Sequence, residues 1–215
     1  TIRTVGGMLP SDLLGRLVAG DKDLGGLKPS DYDLPNETPR EAANRVWSYL
    51  LGVWTTYKTN LARLPEGDPA LGLTREKWLL VLFDQLGYGR LATTPAGGLR
   101  VADRAFPVSH RWDQVPLHLL GWGVELDKRT KGVAGAAERA PHAMVQELLN
   151  RTDDYLWAVV SNGQTLRLLR DSSSLSGQSY VEFDLAAMFD GEVFSDFAVM
   201  FLLLHRSRVG ILSPD

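Results

Sequence analysis

Two apolar runs separated by a glycine-bearing turn constrain this chain more than any other feature. Trp157-Ala-Val-Val160 and Thr165-Leu-Arg-Leu-Leu169 flank the tetrapeptide Ser161-Asn-Gly-Gln164. Asn162-Gly163 tolerates the positive φ that a tight two-residue loop demands, so the pair predicts a β-hairpin. The preceding stretch, Pro141 to Asn150, predicts a short helix that delivers the chain into it. Pro141 suits a first helical turn, where its missing N–H would have no partner anyway. Met144, Val145, Leu148 and Leu149 share one face at helical spacing, while His142, Gln146 and Asn150 form a polar stripe on another.

Upstream, the strongest helix signal is Thr38-Pro-Arg-Glu41, a capping box with proline in the first turn. Ala43, Val46, Trp47, Leu50, Val53, Trp54, Tyr57, Leu61 and Leu64 then repeat at helical period until Pro65 stops it. The aromatic residues fall in phase with leucine and valine, which predicts core packing rather than a base-stacking platform. A second helix is expected from Thr74 to Gly87, with glycine as its left-handed stop. Strands are expected near Gly98–Val101, Phe106–His110, Val115–Leu120 and Ser179–Asp184, a flexible connection over Ser172–Gly177, and an exposed loop over 127–140. A buried helix introduced by Asp190-Gly191 should reach about Arg208. Residues 1–37 read as a loop-rich segment with one short helix over Ser11–Val18, residues 38–90 as a helical part, and 91–215 as an α/β core forming one compact unit with it. Gly6-Gly7 lacks the preceding strand and following Lys-Ser element of a phosphate loop.

Composition closes several routes. The chain has 215 residues with 44% hydrophobic and 23% charged content, enough for one good core. It contains no cysteine, so disulfides, thiolate zinc sites and cysteine nucleophiles are excluded together, and a reducing, cytoplasmic setting is expected. A formal charge of −3 gives no global basic footprint, so any nucleic-acid contact must be local or supplied elsewhere in a larger protein. The apolar run Phe197–Leu204 is far short of the about 20 residues that cross a bilayer, and no membrane partner is expected. Nothing at the start reads as a signal peptide, and the absence of an initial methionine suggests an excised piece. His110, His118, His142 and His205 show no compact metal-ligand spacing, and His118 reads as a core histidine. No G-x-S-x-G elbow occurs.

The run Gln146-x-x-Leu-Asn150, followed by Trp157-Ala-Val-Val-Ser-Asn-Gly163 and Leu166-Arg-Leu-Leu-Arg-Asp171, resembles the nuclease-like N-terminal region of type IIG restriction-modification methylases. These bacterial phage-defence proteins fuse a PD-(D/E)XK-type domain to a DNA adenine methyltransferase and a target-recognition region. The likeness extends through Thr74-Arg-Glu-Lys-Trp-Leu-Leu80 and Leu86-Gly-Tyr-Gly89 back to Ile2-Arg-Thr-Val-Gly-Gly7. It implies an α/β fold, a mixed β-sheet flanked by helices and PD-(D/E)XK-nuclease-like, with a helical N-terminal part. It also implies DNA and the methyltransferase and target-recognition regions of a parent chain as partners.

An active site of that family needs a strand-end Asp and, on the next strand, a carboxylate two residues before a Lys, together holding Mg²⁺ that activates water. Only positions i and i+2 of a strand face the same way. Here the expected strand reads Val115-Pro-Leu-His-Leu-Leu120, with no such pair. The candidates for an active enzyme are Asp113, Glu125, Asp127 and Lys128, with Gln146 as the helical glutamine of the family pattern; Asp113, Glu125 and Asp127 would be the metal ligands. Without the strand pair, the expectation is a scaffold that binds no cofactor and retains no catalyst. S-adenosylmethionine belongs to the parent protein, since the cofactor loop and the Asn-Pro-Pro-Tyr tetrapeptide of the methyltransferase are missing here. A basic strip of Arg100, Arg104, Arg111, Lys128, Arg129, Lys131, Arg167 and Arg170 is the expected DNA contact, reading phosphates rather than bases. Three functions remain open: a non-catalytic domain that holds DNA or docks the methylase region, a Mg²⁺-dependent endonuclease, and a protein scaffold in a phage-defence complex.

Overall fold

The computed structural model describes residues 1–10, 12–171 and 178–210. Strand β1 (Ile2–Val5) is followed by helix α1 (Leu13–Ala19), a 3-10 turn (Pro29–Tyr32) and the long α2 (Pro39–Leu61). A short α3 (Leu71–Thr74) passes through a π-helical turn (Arg75–Leu79) into α4 (Leu80–Gln85). Then come β2 (Ala92–Thr93), the β3–β4 hairpin (Leu99–Val101 and Arg104–Phe106), β5 (His110–Trp112) and β6 (Val115–Leu119). Helix α5 (Pro141–Asn150) leads into β7 (Trp157–Ser161), β8 (Thr165–Arg170) and β9 (Tyr180–Asp184). Helices α6 (Leu185–Asp190), α7 (Phe194–Leu204) and α8 (Arg206–Val209) follow. Seven strands form one sheet in the order β1-β9-β8-β7-β6-β5-β2, and β3–β4 stands apart as a two-stranded sheet. All neighbours in the large sheet are antiparallel except β6 and β7, which run parallel across the α5 crossover. The chain is therefore α/β with a mixed sheet. No helix among the described residues is long and apolar enough to cross a membrane.

The capping box forms as the sequence predicts: Thr38 Oγ1 accepts from the Glu41 N–H at 3.2 Å, and Glu41 accepts from the Thr38 N–H at 2.7 Å. The central hairpin also forms, but its turn sits one residue later than Asn162-Gly163. Asn162 N–H bonds to the Thr165 carbonyl at 3.2 Å, so Gly163-Gln164 are the central residues, and Gly163 carries φ +80°. That matches a turn with glycine first. The Asn162 side chain takes over the closing bond by accepting from Thr165 N–H at 2.7 Å. A Cβ on Gly163 would lie 2.5 Å from Thr74 Cγ2, and Trp78 Nε1 donates to the Gly163 carbonyl at 2.9 Å, so the turn is docked on α3 and the π-helical turn.

Several boundaries differ from expectation for identifiable reasons. The single strand expected over Phe106–His110 is broken into β4 and β5, because Pro107 has no N–H to give a ladder. The helix expected to follow Asp190-Gly191 and reach about Arg208 is two helices, α7 and α8, and α6 precedes them. Asp184 caps α6 by accepting from the Ala187 N–H at 2.9 Å, and Tyr88 donates to the freed Leu204 carbonyl at 2.8 Å where α7 ends. The first residues are an edge strand rather than loop, so a strand does precede Gly6-Gly7. A Cβ on Gly6 would lie 2.0 Å from the Gln178 carbonyl oxygen, so the glycine serves close approach to the segment entering β9. The connection expected over Ser172–Gly177 lies outside the described residues.

Two cores cover the two sheet faces. On one, Trp47, Leu50, Trp54, Tyr57, Trp78 and Phe83 from the helical part meet Leu117, Val159, Leu168 and Val181 of the sheet and Phe189, Phe197 and Phe201 of the last helices. Trp78 meets Phe189 edge-on at 4.9 Å and Trp54 at 4.9 Å, orientations that aromatic quadrupoles favour. On the other, Met144, Val145, Leu148 and Leu149 of α5 cover Ala158, Val160 and Leu169, flanked by Phe106 of the β3–β4 hairpin.

Candidate nucleic-acid interface

Cross-strand pairing places one polar row on the α5 face. His118 pairs with Val160, Val160 with Arg167, Arg167 with Glu182, and Glu182 with Arg3. Directly paired residues project to the same side, so the row carries charge into the layer that α5 covers. Arg167 is only 5% exposed. Its Nε donates to Glu182 Oε2 at 2.6 Å, and its two terminal nitrogens fork onto Asp127 at 2.6 and 2.8 Å. Burial works against this guanidinium, but the bonds to Asp127 and Glu182 outweigh it and raise its pKa. The same bond from Arg167 holds the Asp127 carboxyl below its ordinary range. Arg167 thus fastens the loop carrying Asp127 to the middle of the sheet.

Three further bonds hold that loop. His142 N–H reaches the Leu126 carbonyl at 2.9 Å, Asn162 Nδ2 donates to the Val124 carbonyl at 2.8 Å, and His118 Nε2 lies 2.8 Å from the Gly135 carbonyl. The His142 ring packs edge-on against Tyr180 at 4.7 Å, and neither ring nitrogen has a partner among the described residues. Burial, reinforced by the Arg167 charge, pushes His142 down to about 4. Burial likewise pushes His118 down to about 4. Both are neutral at pH 7.

The nuclease candidates do not assemble around an ion. Asp113 occupies the β5–β6 turn at φ +48°, ahead of β6, whereas Glu125 follows its far end and pairs with Lys128 at 3.0 Å. Asp127 is taken by Arg167. Gln146 is buried, and its Nε2 donates to the Arg170 carbonyl at 2.7 Å and to Asn150 Oδ1 at 3.1 Å, which ties α5 to β8. On β6, Leu117 and Leu119 face the aromatic core, and His118 between them faces α5. No group of three or more His, Asp or Glu side chains among the described residues could hold a metal ion. Asp113, Glu125 and Asp127 therefore do not form the carboxylate set that a Mg²⁺-dependent nuclease would need.

The eight expected cations divide. Arg167 is consumed in the core. Arg170, an odd number of residues further along β8, faces the opposite side and lies over the Trp157 ring at 5.4 Å. Arg111 pairs with Pro116, which shares its face with His118, so it belongs to the α5 side. Lys128, Arg129 and Lys131 are exposed on the loop that Arg167 fastens. Arg104 binds Glu147 of α5. Two arginines outside the expected strip join it there: Arg139 Nη1 bonds Glu147 Oε2 at 2.7 Å, and Arg151 Nε bonds Glu147 Oε1 at 2.8 Å. Three guanidiniums share one carboxylate, which leaves a local surplus of positive charge. Arg151 was legible as the i+4 partner of Glu147. Arg139 was not, since only the turn into α5 aims it.

No family model, no curated protein and no solved structure matches the chain.

Proposed function

We propose that the chain is a non-catalytic, PD-(D/E)XK-nuclease-like module of a bacterial DNA restriction-modification methyltransferase, and that its α5 side holds the DNA backbone. The observation that carries this reading is the shared Glu147, with Arg104, Arg139 and Arg151 around a single carboxylate on α5; Arg111 points to the same side of the sheet, and Arg129 and Lys131 are exposed on the loop that Arg167 fastens to that side. Such a surface contacts phosphates without reading bases. The ion pairs of Asp127 and Glu125 support the loss of cleavage, because these carboxylates serve arginine and lysine instead of an ion. Methyl transfer, with S-adenosylmethionine, is assigned to the parent chain.

The test has two arms. Fluorescence anisotropy with a labelled duplex should give sequence-independent binding that weakens steeply with salt. Supercoiled plasmid with Mg²⁺ or Mn²⁺ should remain uncut, and Glu125→Ala and Asp127→Ala should change nothing. Cleavage abolished by both substitutions would establish the endonuclease alternative.

An apolar groove favours a second reading. A cavity of about 480 Å³ lies between α1, the loop after it, the start of α2 and α7, with Leu17, Val18, Leu24, Ala198 and Leu202 in its wall. In that reading this face docks the methyltransferase region of the parent chain. Val18→Glu would then weaken the association of the two parts while leaving DNA binding by the α5 side intact.

A further inference from the structure

A cleft of about 380 Å³ opens at the β2 edge of the sheet, between β2 with the loop after it and the β3–β4 hairpin. Two guanidiniums line it from different sheets, Arg100 on β3 and Arg111 on β5. Strand alternation explains both placements. Leu99 and Phe106 are paired and turn into the α5 core, so Arg100 and its partner Ala105 turn the other way. Arg111 pairs with Ala92 of the edge strand, which also lines the cleft. Among the described residues the lining contains no carboxylate and no aromatic ring. Neither arginine has an ion-pair partner among the described residues, in contrast to Arg104, Arg139 and Arg151.

Two like charges brought to one concavity repel each other, and this repulsion is relieved when an anion lies between them. We infer that this cleft is a phosphodiester subsite, in which Arg100 and Arg111 grip one backbone phosphate of a nucleic acid. The chemistry of the lining selects that ligand. Guanidinium forks match phosphate oxygens, and the hydroxyl-bearing Thr93 stands beside them, while the Thr94 hydroxyl is spent on the Val108 carbonyl. With no ring to stack on a base, the subsite takes the backbone and is indifferent to sequence. The inference rests on the DNA reading above and adds to it a discrete clamp at the end of the α5-side surface.

The experiment titrates the whole chain with a labelled duplex over a range of salt and repeats it for Arg100→Ala, Arg111→Ala, the double variant, and Arg104→Ala as the comparison outside the cleft. All three positions are at least partly exposed, and thermal melting checks that each variant is folded. The double variant should weaken binding roughly ten-fold, equally for unrelated sequences. Its slope of log affinity against log salt should fall by about one, the signature of one lost phosphate contact. Unchanged affinity and slope in the double variant, with binding still weakened by Arg104→Ala, would overturn the cleft and leave the DNA reading standing. If the unmodified chain fails to bind any duplex, the DNA reading falls, and with it the phosphodiester assignment. Titration with inorganic phosphate separates the sources: phosphate that binds equally well to the double variant also speaks against the clamp.

Discussion

The two faces of the sheet are built on different physics. The face under α2, α4 and α7 is a continuous aromatic and aliphatic layer in which the polar atoms of the rings find single partners, as when Trp54 Nε1 donates to Asp190 at 2.7 Å. The face under α5 buries an arginine, two carboxylate contacts and two neutral histidines within a smaller apolar frame. Apolar burial is non-directional and tolerates repacking, whereas a buried charge is stable only with its partners in place. One face therefore supplies stability, and the other supplies a fixed arrangement of charge whose outer rim can meet a ligand.

The largest effect should come from the aromatic face. Trp78→Ala removes the ring that holds the hairpin turn and should lose about 3–5 kcal/mol in urea unfolding. A loss below about 1 kcal/mol would break the comparison, since the stability would then reside elsewhere. On the α5 face, Arg167→Met keeps the stem but strands Glu182, and it should lose about 2–3 kcal/mol, less than a fully buried pair because Asp127 reaches solvent. Hydrogen exchange should rise first across residues 121–140, the loop that Arg167 fastens. Faster exchange spread evenly over the aromatic core would contradict the division of labour.

Acid sharpens the same contrast. His118 and His142 titrate near 4 in the folded protein and at about 6.5 when unfolded, so the unfolded chain binds more protons between these values. Stability must then rise with pH across that window and be lost as pH falls through it, by up to about 1.4 kcal/mol per pH unit for each histidine. His110 and His205, also held near 4 by burial, contribute in the same direction. Replacing His118 and His142 together with glutamine should flatten the profile measured by denaturation at a series of pH values. An unchanged slope would place the acid sensitivity on the other face. The smallest expected change is that of Glu147→Gln, which breaks three partly exposed ion pairs and should alter stability by less than about 1 kcal/mol. Freed of their shared carboxylate, Arg104, Arg139 and Arg151 should bind duplex DNA a few-fold more tightly, and weaker binding would argue that Glu147 is needed to aim them.

Much of the fold was legible. Local signals with a mechanism, such as the Thr38–Glu41 box, the stop at Gly87 and the Asn-Gly hairpin, each produced the expected element, because their causes lie within a few residues. The edge strand at Ile2–Val5 escaped, since a four-residue strand is stabilised by its partner β9 and hardly by its own sequence. The candidate site was less legible. Arg167 and Arg170 carry the same charge three residues apart, yet one is buried and the other exposed, because Arg167 sits mid-strand under α5 and Arg170 ends the strand on the opposite face.

The sequence by itself determined that the capped α2, the stop at Gly87 and the central hairpin would form, which residues are apolar enough to be buried, and that β6 carries no alternating carboxylate and lysine. The tertiary structure alone decided that Asp127 meets Arg167 across 40 positions of sequence, that three arginines share Glu147, and that Arg100 and Arg111 line one cleft. The reason is one of range. Capping, turns and periodicity are local interactions, whereas a charge finds its partner only when the sheet has been ordered and its two faces have been covered.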